Sequence, residues 1–108
     1  VFASWCIPCR AEHPLWMQLA KSGDVKIHAI NWKDQRKAAI DWLEELGDPY
    51  SRIGFDLENK AGIEWGVYGV PETYVIDREG RIRYKHIGPL FKETYVETIE
   101  PLLKDLRG

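Results

Sequence analysis

The apolar positions of the chain switch between the spacing of helices and the spacing of strands. Apolar residues recur every fourth position after a Pro at position 8, which predicts a helix with one apolar face. That face is expected to carry Ala11, Leu15 and Leu19. Pro14 should kink this helix, because proline has no N–H to donate to the Arg10 carbonyl. Residues 25–32 (VKIHAINW) then alternate and contain β-branched side chains, which predicts a strand.

The middle of the chain predicts a second helix, followed by irregular structure. Asp34 is expected to cap this helix and Gly47 to end it. Its apolar stripe would consist of Ala39, Trp42, Leu43 and Leu46. A short strand near 53–55 and a short helix over 60–65 come next.

The last third predicts a hairpin and a final helix. Two strand-like runs, 73–77 and 81–87, are separated by Arg78-Glu79-Gly80, which is typical of a β-hairpin. The final helix contains Pro101, which should kink it or mark its first turn. Its apolar face would carry Tyr95, Ile99, Leu102, Leu103 and Leu106.

This order of elements predicts an α/β fold with a mixed central sheet and helices on both faces. The first half forms a βαβ unit, which requires a parallel pair, and the hairpin requires an antiparallel pair. The opening residues Val-Phe-Ala-Ser-Trp are typical of the end of a buried strand. We therefore expect residues 1–108 to form one domain whose first strands, with any membrane anchor, lie outside this chain.

Composition narrows the partners and the class of protein. The chain has 15 Lys and Arg against 17 Asp and Glu, a formal net charge of −2, which argues against nucleic acid as a partner. No apolar run reaches the roughly 18 residues that a transmembrane helix needs. Two cysteines are too few for a disulfide scaffold.

Those two cysteines are the chemical centre of the sequence. They lie in Trp5-Cys6-Ile7-Pro8-Cys9, between a strand and a helix. A sulfur at a helix N-terminus is stabilised as a thiolate, and a second sulfur one turn later can resolve a mixed disulfide. Half of a zinc site with distant histidines, an inert short-loop disulfide and two buried thiols remain alternatives to this redox interpretation.

A second segment, Gly66-Val-Tyr-Gly-Val-Pro-Glu-Thr-Tyr-Val-Ile-Asp77, places a Val70–Pro71 bond directly before a buried strand. A cis bond is the functional interpretation, and a trans proline at a strand start is the alternative.

Together these two segments resemble the thioredoxin superfamily and, within it, the cytochrome c maturation thioredoxins of the CcmG/DsbE group. WCIPCR is similar to the superfamily active site, and GVYGVPET is similar to a stretch typical of that group. The resemblance extends over essentially all 108 residues. It implies a cis bond at Val70–Pro71 and acidic residues near the dithiol at Glu12 and Glu72. From the residues alone, both acids would pass for solvated charges, and Trp5 for a packing residue.

The resemblance also implies a function. Cys6 and Cys9 would be the catalytic residues of a thiol:disulfide oxidoreductase, with Trp5 and Pro8 beside them and no metal or organic cofactor. The substrates would be the cysteines of apocytochrome c, or a cytochrome c maturation protein, kept reduced before haem attachment. A DsbD- or CcdA-type membrane reductant would regenerate the dithiol. We expect a monomer in the periplasm, anchored to the inner membrane by a segment preceding Val1.

Two alternative functions stay open. One is a general extracytoplasmic thioredoxin of the TlpA/ResA type, and the other is a binding module that holds a maturation partner without catalysis. The three histidines, His13, His28 and His86, are expected to be surface or packing residues.

Overall fold

The structure is a computed structural model that describes residues 1–107. In chain order its elements are α1 (Ile7–Ser22), β1 (His28–Trp32), α2 (Arg36–Leu46), β2 (Arg52–Asp56), α3 (Lys60–Trp65), β3 (Glu72–Ile76), β4 (Ile82–Ile87), α4 (Lys92–Thr94) and α5 (Glu100–Arg107). A π-helical turn, Tyr95–Ile99, joins α4 to α5. The predicted order of helices and strands is confirmed, although β1 begins at His28 rather than at Val25.

The sheet is mixed, as predicted, and consists of two strand pairs joined by the first residues of the chain. β1 pairs with β2 in parallel, and β3 pairs with β4 antiparallel. The Phe2 N–H donates to the Ile30 carbonyl at 3.0 Å, and the Trp32 N–H donates to the Phe2 carbonyl at 2.9 Å. On the other side the Val1 nitrogen donates to the Glu72 carbonyl at 2.7 Å. The order is therefore β2, β1, residues 1–2, β3, β4.

Two buried apolar clusters hold these layers together, and α1 contributes to both. The first, here called the dithiol cluster, contains Phe2, Ala3, Cys6, Cys9, Ala29, Trp42 and Leu43. The second contains Leu15, Val75, Leu90, Tyr95 and Ile99. Because the dithiol lies inside the first cluster, the packing of α2 against β1 also fixes the start of α1.

The buried face of α1 differs from the predicted one. Leu15 is buried, but Ala11 is exposed, and Glu12 and His13 are buried instead. The apolar spacing alone placed the face wrongly because two of the side chains that α1 buries are polar. The prediction for α2 is confirmed on this point, since Ala39, Trp42 and Leu43 are buried.

One local prediction needs correction. Asp34 is not the N-cap of α2. The helix begins at Arg36 and its N-cap is Gln35, whereas the Asp34 carboxylate accepts hydrogen bonds from Ser4 and Asn31. As predicted, Pro101 lies in the first turn of the final helix, since α5 begins at Glu100. The Glu100 N–H donates to the Tyr95 carbonyl five residues back, just before Pro101, which has no N–H to continue the ordinary pattern.

Candidate active site

Cys6 and Cys9 form a disulfide at the start of α1, with their Cα atoms 5.3 Å apart. Cys6 has extended backbone and immediately precedes the first helical residue, so it occupies the N-cap position. Its Sγ accepts the Cys9 backbone N–H at 3.2 Å. The sulfur therefore takes the role that a serine or aspartate oxygen plays at other helix starts, satisfying one of the free donors of the first turn.

The two cysteine residues differ little in exposure. Cys6 is 4% exposed and Cys9 is 1% exposed, so the order is the predicted one although both are buried. The side chains next to them are not buried: Ile7 is 82% exposed and Trp5 57%. Pro8 lies in the first helical turn, where its missing N–H leaves no carbonyl unpaired. The dithiol thus lies just beneath a small exposed apolar surface.

The Val70–Pro71 peptide bond is cis, as the resemblance implies. Val70 packs against the dithiol cluster, and Pro71 is fully buried. The Pro71 carbonyl accepts the Gly88 N–H at 3.0 Å, which ties this bond to the end of β4. The structure therefore brings the second motif of the sequence onto the same core as the first.

Glu12 is buried on α1, one turn beyond Cys9, and is only 3% exposed. Its Oε2 accepts the Trp16 Nε1–H at 2.9 Å, and its Oε1 accepts the Leu90 N–H at 3.0 Å. Burial raises the pKa of Glu12, while these two donors favour the ionised form and act against the shift. The interpretation of Glu12 as a solvated helix charge is wrong.

Glu72 is buried as well, at 2% exposure, directly after Pro71. Its Oε1 accepts the Tyr74 hydroxyl at 2.7 Å, and its Oε2 accepts the Tyr68 N–H at 3.2 Å. Lys85 Nζ lies 3.6 Å from Oε1. Burial and the bond to Glu72 raise the pKa of Tyr74, which therefore remains the proton donor of this pair. Glu72 is not a solvated edge-strand charge.

The two acids line one cleft of about 380 Å³ between β1 and β3. Trp16, Tyr74 and Leu90, three of the residues that bind their carboxylates, line it too. Neither cysteine belongs to this lining. Glu12 and Glu72 thus lie in the interior of the fold, in a cleft that neither cysteine lines, while Trp5 and Ile7 lie beside the dithiol on the exposed side.

Sequence reasoning missed several residues that organise the site. Tyr74 and Lys85, which contact Glu72, are cross-strand partners in the β3–β4 hairpin. The hairpin register could have identified them. Tyr74 is two residues after Glu72 on β3, and Lys85 is the residue of β4 that lies opposite Tyr74. Ser4 and Asp34, which bind each other next to Cys6, carry no such signal.

The histidines do not join the dithiol. His13 is buried against Trp42 and Tyr50, with Nε2 2.8 Å from the Gly47 carbonyl oxygen. Within residues 1–107 no three or more His, Cys, Asp or Glu side chains cluster closely enough to hold a metal ion. In the same range no helix is long and apolar enough to cross a membrane.

Comparison with known proteins decides the family. The sequence profile of the Redoxin family matches residues 1–103. The chain belongs to the redoxin family. The resemblance to thioredoxin-like proteins of the DsbE group is thereby confirmed at the level of the family, and relatives named for that group support it further.

Among the relatives, the thiol:disulfide interchange protein CycY of Rhizobium leguminosarum is 49% identical over 108 residues, covering 100% of this chain and 58% of its own length. The thiol:disulfide interchange protein DsbE of Escherichia coli K12 is 47% identical over 102 residues, covering 94% of this chain and 55% of its own length. The chain therefore spans a little more than half the length of these two relatives.

A solved structure gives the same fold. The crystal structure of a candidate DsbE from Chlorobium tepidum superposes with a TM-score of 0.80 at 27% identity, covering 99% of this chain and 76% of that one. The expected thioredoxin-like α/β fold is confirmed.

Proposed function

We propose that this redoxin is a thiol:disulfide oxidoreductase that reduces protein disulfides through Cys6 and Cys9. The observation that carries the proposal is the bond from the Cys9 N–H to Cys6 Sγ at the start of α1. Once the disulfide is reduced, the same N–H and the positive end of the helix dipole favour the thiolate of Cys6. A stabilised thiolate is the species that attacks a disulfide.

The reaction proceeds in two exchanges that balance. The Cys6 thiolate attacks one sulfur of the substrate disulfide, forming a mixed disulfide and releasing the other substrate sulfur as a thiolate. Cys9 then loses its proton and attacks Cys6 Sγ, which releases the second substrate thiolate and closes the Cys6–Cys9 disulfide. The substrate gains two electrons, the protein loses two, and both substrate thiolates take protons.

Glu12 and Glu72 are proposed to act on this cycle from the interior. Glu12 lies one turn after Cys9 on α1, and burial raises its pKa, as suits a group that takes up and releases a proton during the cycle. Glu72 follows Pro71, whose neighbour Val70 packs on the dithiol cluster. Negative charge on either acid would oppose the Cys6 thiolate and keep the couple reducing.

The exposed side is proposed to meet the substrate. Trp5 and Ile7 are exposed next to the buried cysteines, and Val70 packs against the dithiol cluster, so an extended chain that reaches Cys6 is proposed to cross these residues. Pro8 holds the intervening turn. The names of the relatives, thiol:disulfide interchange proteins, support thiol:disulfide exchange as the reaction.

By resemblance to the CcmG/DsbE group, the substrate is the cysteine pair of apocytochrome c, or a cytochrome c maturation protein, before haem is attached. Because each turnover leaves the dithiol oxidised, a DsbD- or CcdA-type membrane reductant must restore it. We place the protein in the periplasm, held at the inner membrane by a segment preceding Val1, and acting as a monomer. A general TlpA/ResA-type role and a binding role without catalysis are the alternatives.

The trapping of a mixed disulfide tests the proposal. A Cys9→Ser variant cannot complete the second exchange, so it should accumulate covalent adducts that dithiothreitol releases. Cys6→Ser is the matched control and should accumulate none. Recovery of apocytochrome c or a maturation protein supports the specific role, and a broad mixture of thiol proteins indicates the general one. An absence of adducts with both variants would indicate a binding module.

A further inference from the structure

Ser4 and Trp5, the two residues before Cys6, are hydrogen-bonded to the turn between β1 and α2. The Ser4 N–H donates to Asp34 Oδ2 at 2.7 Å, and the Ser4 hydroxyl donates to Oδ1 at 2.9 Å. Trp5 Nε1 donates to the Lys33 carbonyl at 2.9 Å. The residues that contact each other are about thirty positions apart in sequence, so this is a tertiary clamp and not a local turn.

Asp34 is itself held in place from its own side. Asn31 Nδ2 donates to Oδ2 at 3.0 Å, and the Gln35 N–H donates to Oδ1 at 2.7 Å. Asn31 is fully buried and Asp34 is 9% exposed. With Ser4, the carboxylate accepts four bonds, two on each oxygen, and every donor comes from a neutral group. A carboxylate satisfied in this way has one orientation.

Lys33 has the backbone conformation that this clamp requires. Its φ of 47° is in the left-handed region, which residues other than glycine seldom adopt. Its N–H is bonded to the Asp56 carbonyl at the end of β2, at 3.0 Å, and its ammonium lies 4.7 Å from the centre of the Trp32 ring. The turn is thereby anchored to the sheet, and its carbonyl is free to accept the bond from Trp5.

We propose that Asp34 is a positioning residue for the dithiol, acting through Ser4. This inference rests on the proposed exchange at Cys6 and Cys9. Ser4 lies two residues before Cys6, and the Cys6 N–H donates back to the Ala3 carbonyl at 3.2 Å. Fixing Ser4 therefore fixes where Cys6 Sγ stands relative to the Cys9 N–H that stabilises its thiolate. Without the clamp the sulfur accepts that bond for less of the time, and the thiolate is less populated.

The direction of this effect separates positioning from simple electrostatics. If Asp34 acted only as a nearby negative charge, its neutralisation would favour the Cys6 thiolate and speed its reactions. If it acts by holding Ser4, its neutralisation disfavours the thiolate and slows them. A side-chain bond of this kind corresponds to a change of about threefold to tenfold in an equilibrium.

The test measures the rate at which iodoacetamide alkylates Cys6 in the reduced protein at about pH 6, in a set of variants. Ser4→Ala and Asp34→Asn should each slow alkylation about threefold to tenfold. Ser4→Thr, which keeps the hydroxyl, should react at the wild-type rate. The double variant should be no slower than Asp34→Asn alone. Asp41→Asn is the charge-matched control: Asp41 lies on α2 and pairs with the exposed Lys37.

Several outcomes would overturn the inference: unchanged alkylation in Ser4→Ala, faster alkylation in Asp34→Asn, or effects that multiply in the double variant. If Asp34→Asn does not fold, the comparison of Ser4→Ala with Ser4→Thr decides alone. Equilibration of the wild-type protein with glutathione is run beside these measurements. Failure of the wild type to exchange its disulfide counts against the proposed function, whereas exchange with equal alkylation in all variants counts only against the role of Asp34.

Discussion

The Cys9 backbone N–H points at Cys6 Sγ, 3.2 Å away, so the first sulfur of the motif is also the N-cap of α1. One contact thereby serves two purposes. In the oxidised protein it satisfies a donor of the first helical turn, and in the reduced protein it stabilises negative charge on Cys6. Cys9 is inside the helix and has no such position, and we therefore propose Cys6 as the attacking sulfur and Cys9 as the resolving one.

The first prediction concerns which sulfur reacts. In the fully reduced protein at mildly acidic pH, a limiting amount of iodoacetamide should label Cys6 well before Cys9. The reason is that only Cys6 has a helix N-terminus to lower the pKa of its thiol, and it is slightly less buried. Peptide mass spectrometry gives the ratio. Preferential labelling of Cys9 would show that the roles of the two sulfurs are reversed.

The second prediction concerns the charge of Glu72. Glu72→Gln should shift the reduction potential of the dithiol toward the oxidising side, because removal of a negative neighbour stabilises the Cys6 thiolate and hence the reduced form. Glutamine keeps an acceptor for the Tyr68 N–H, so the loop before Pro71 should remain in place. A 30 mV shift corresponds to about 1.4 kcal/mol.

Glu79→Gln, an exposed change in the β3–β4 turn, is the control and should leave the potential unchanged. A shift in the reducing direction for Glu72→Gln would indicate that Glu72 serves substrate docking or proton transfer instead.

The third prediction is a loss of stability in mild acid that depends on His13. Burial lowers the pKa of His13, against the opposing effects of the Gly47 carbonyl and Asp48. Its Nδ1 has no hydrogen-bond partner among the described residues, so a second ring proton would be buried unpaired. The unfolded chain takes that proton near the ordinary pKa of about 6.5. The free energy of unfolding is therefore fully retained above about pH 6.5 and falls as the pH drops below it.

Urea unfolding at pH 7.5 and pH 5 checks this prediction. His13→Gln removes the titration while keeping a donor for the Gly47 carbonyl, and it should flatten the dependence on pH. His28→Gln, at an exposed position of β1, should leave it as in the wild type. Equal slopes in the wild type and His13→Gln would assign the acid sensitivity to another group.

The fourth prediction concerns the second apolar cluster. Leu90 is fully buried between α1 and the C-terminal helices, and its N–H binds Glu12. Leu90→Ala should lower the free energy of unfolding by about 2–5 kcal/mol, since a large buried side chain leaves a cavity. Chemical denaturation measures the change. Leu57→Ala, at a position that is 45% exposed, should cost much less, and a similar loss for both would contradict the assigned packing.

The sequence predicted the parts of the site whose chemistry is local. The dithiol is one turn of helix long, so its spacing alone places one sulfur at the N-cap and the other inside α1. The cis bond at Val70–Pro71 also depends on adjacent residues and on a motif that is narrow enough to recognise. The stripe of α2 followed from spacing, because its three buried side chains, those of Ala39, Trp42 and Leu43, are all apolar.

The remaining parts depend on partners far away along the chain. Glu12 is buried because the Leu90 N–H, 78 residues later, satisfies it, and Asp34 is buried because Ser4, 30 residues earlier, does so. A charged side chain at helical spacing is predicted to be solvated unless its hydrogen-bond donors are known. Because spacing does not show these donors, it also led to the wrong prediction that Ala11 lies on the buried face of α1. The spacing of residue types shows which side chains are polar. Whether a polar side chain is buried depends on the hydrogen-bond partners that the fold brings to it.

The reduction potential of the wild-type dithiol, measured by equilibration with glutathione, tests the central claim most directly. Ile7 and Pro8 add no cationic group between the cysteines, and we propose that the buried acids oppose the thiolate, so the couple should be reducing. We expect a value closer to that of thioredoxin, about −270 mV, than to that of DsbA, about −120 mV. A value near −120 mV would contradict the role of a reductant and would make the protein an oxidant of its substrates.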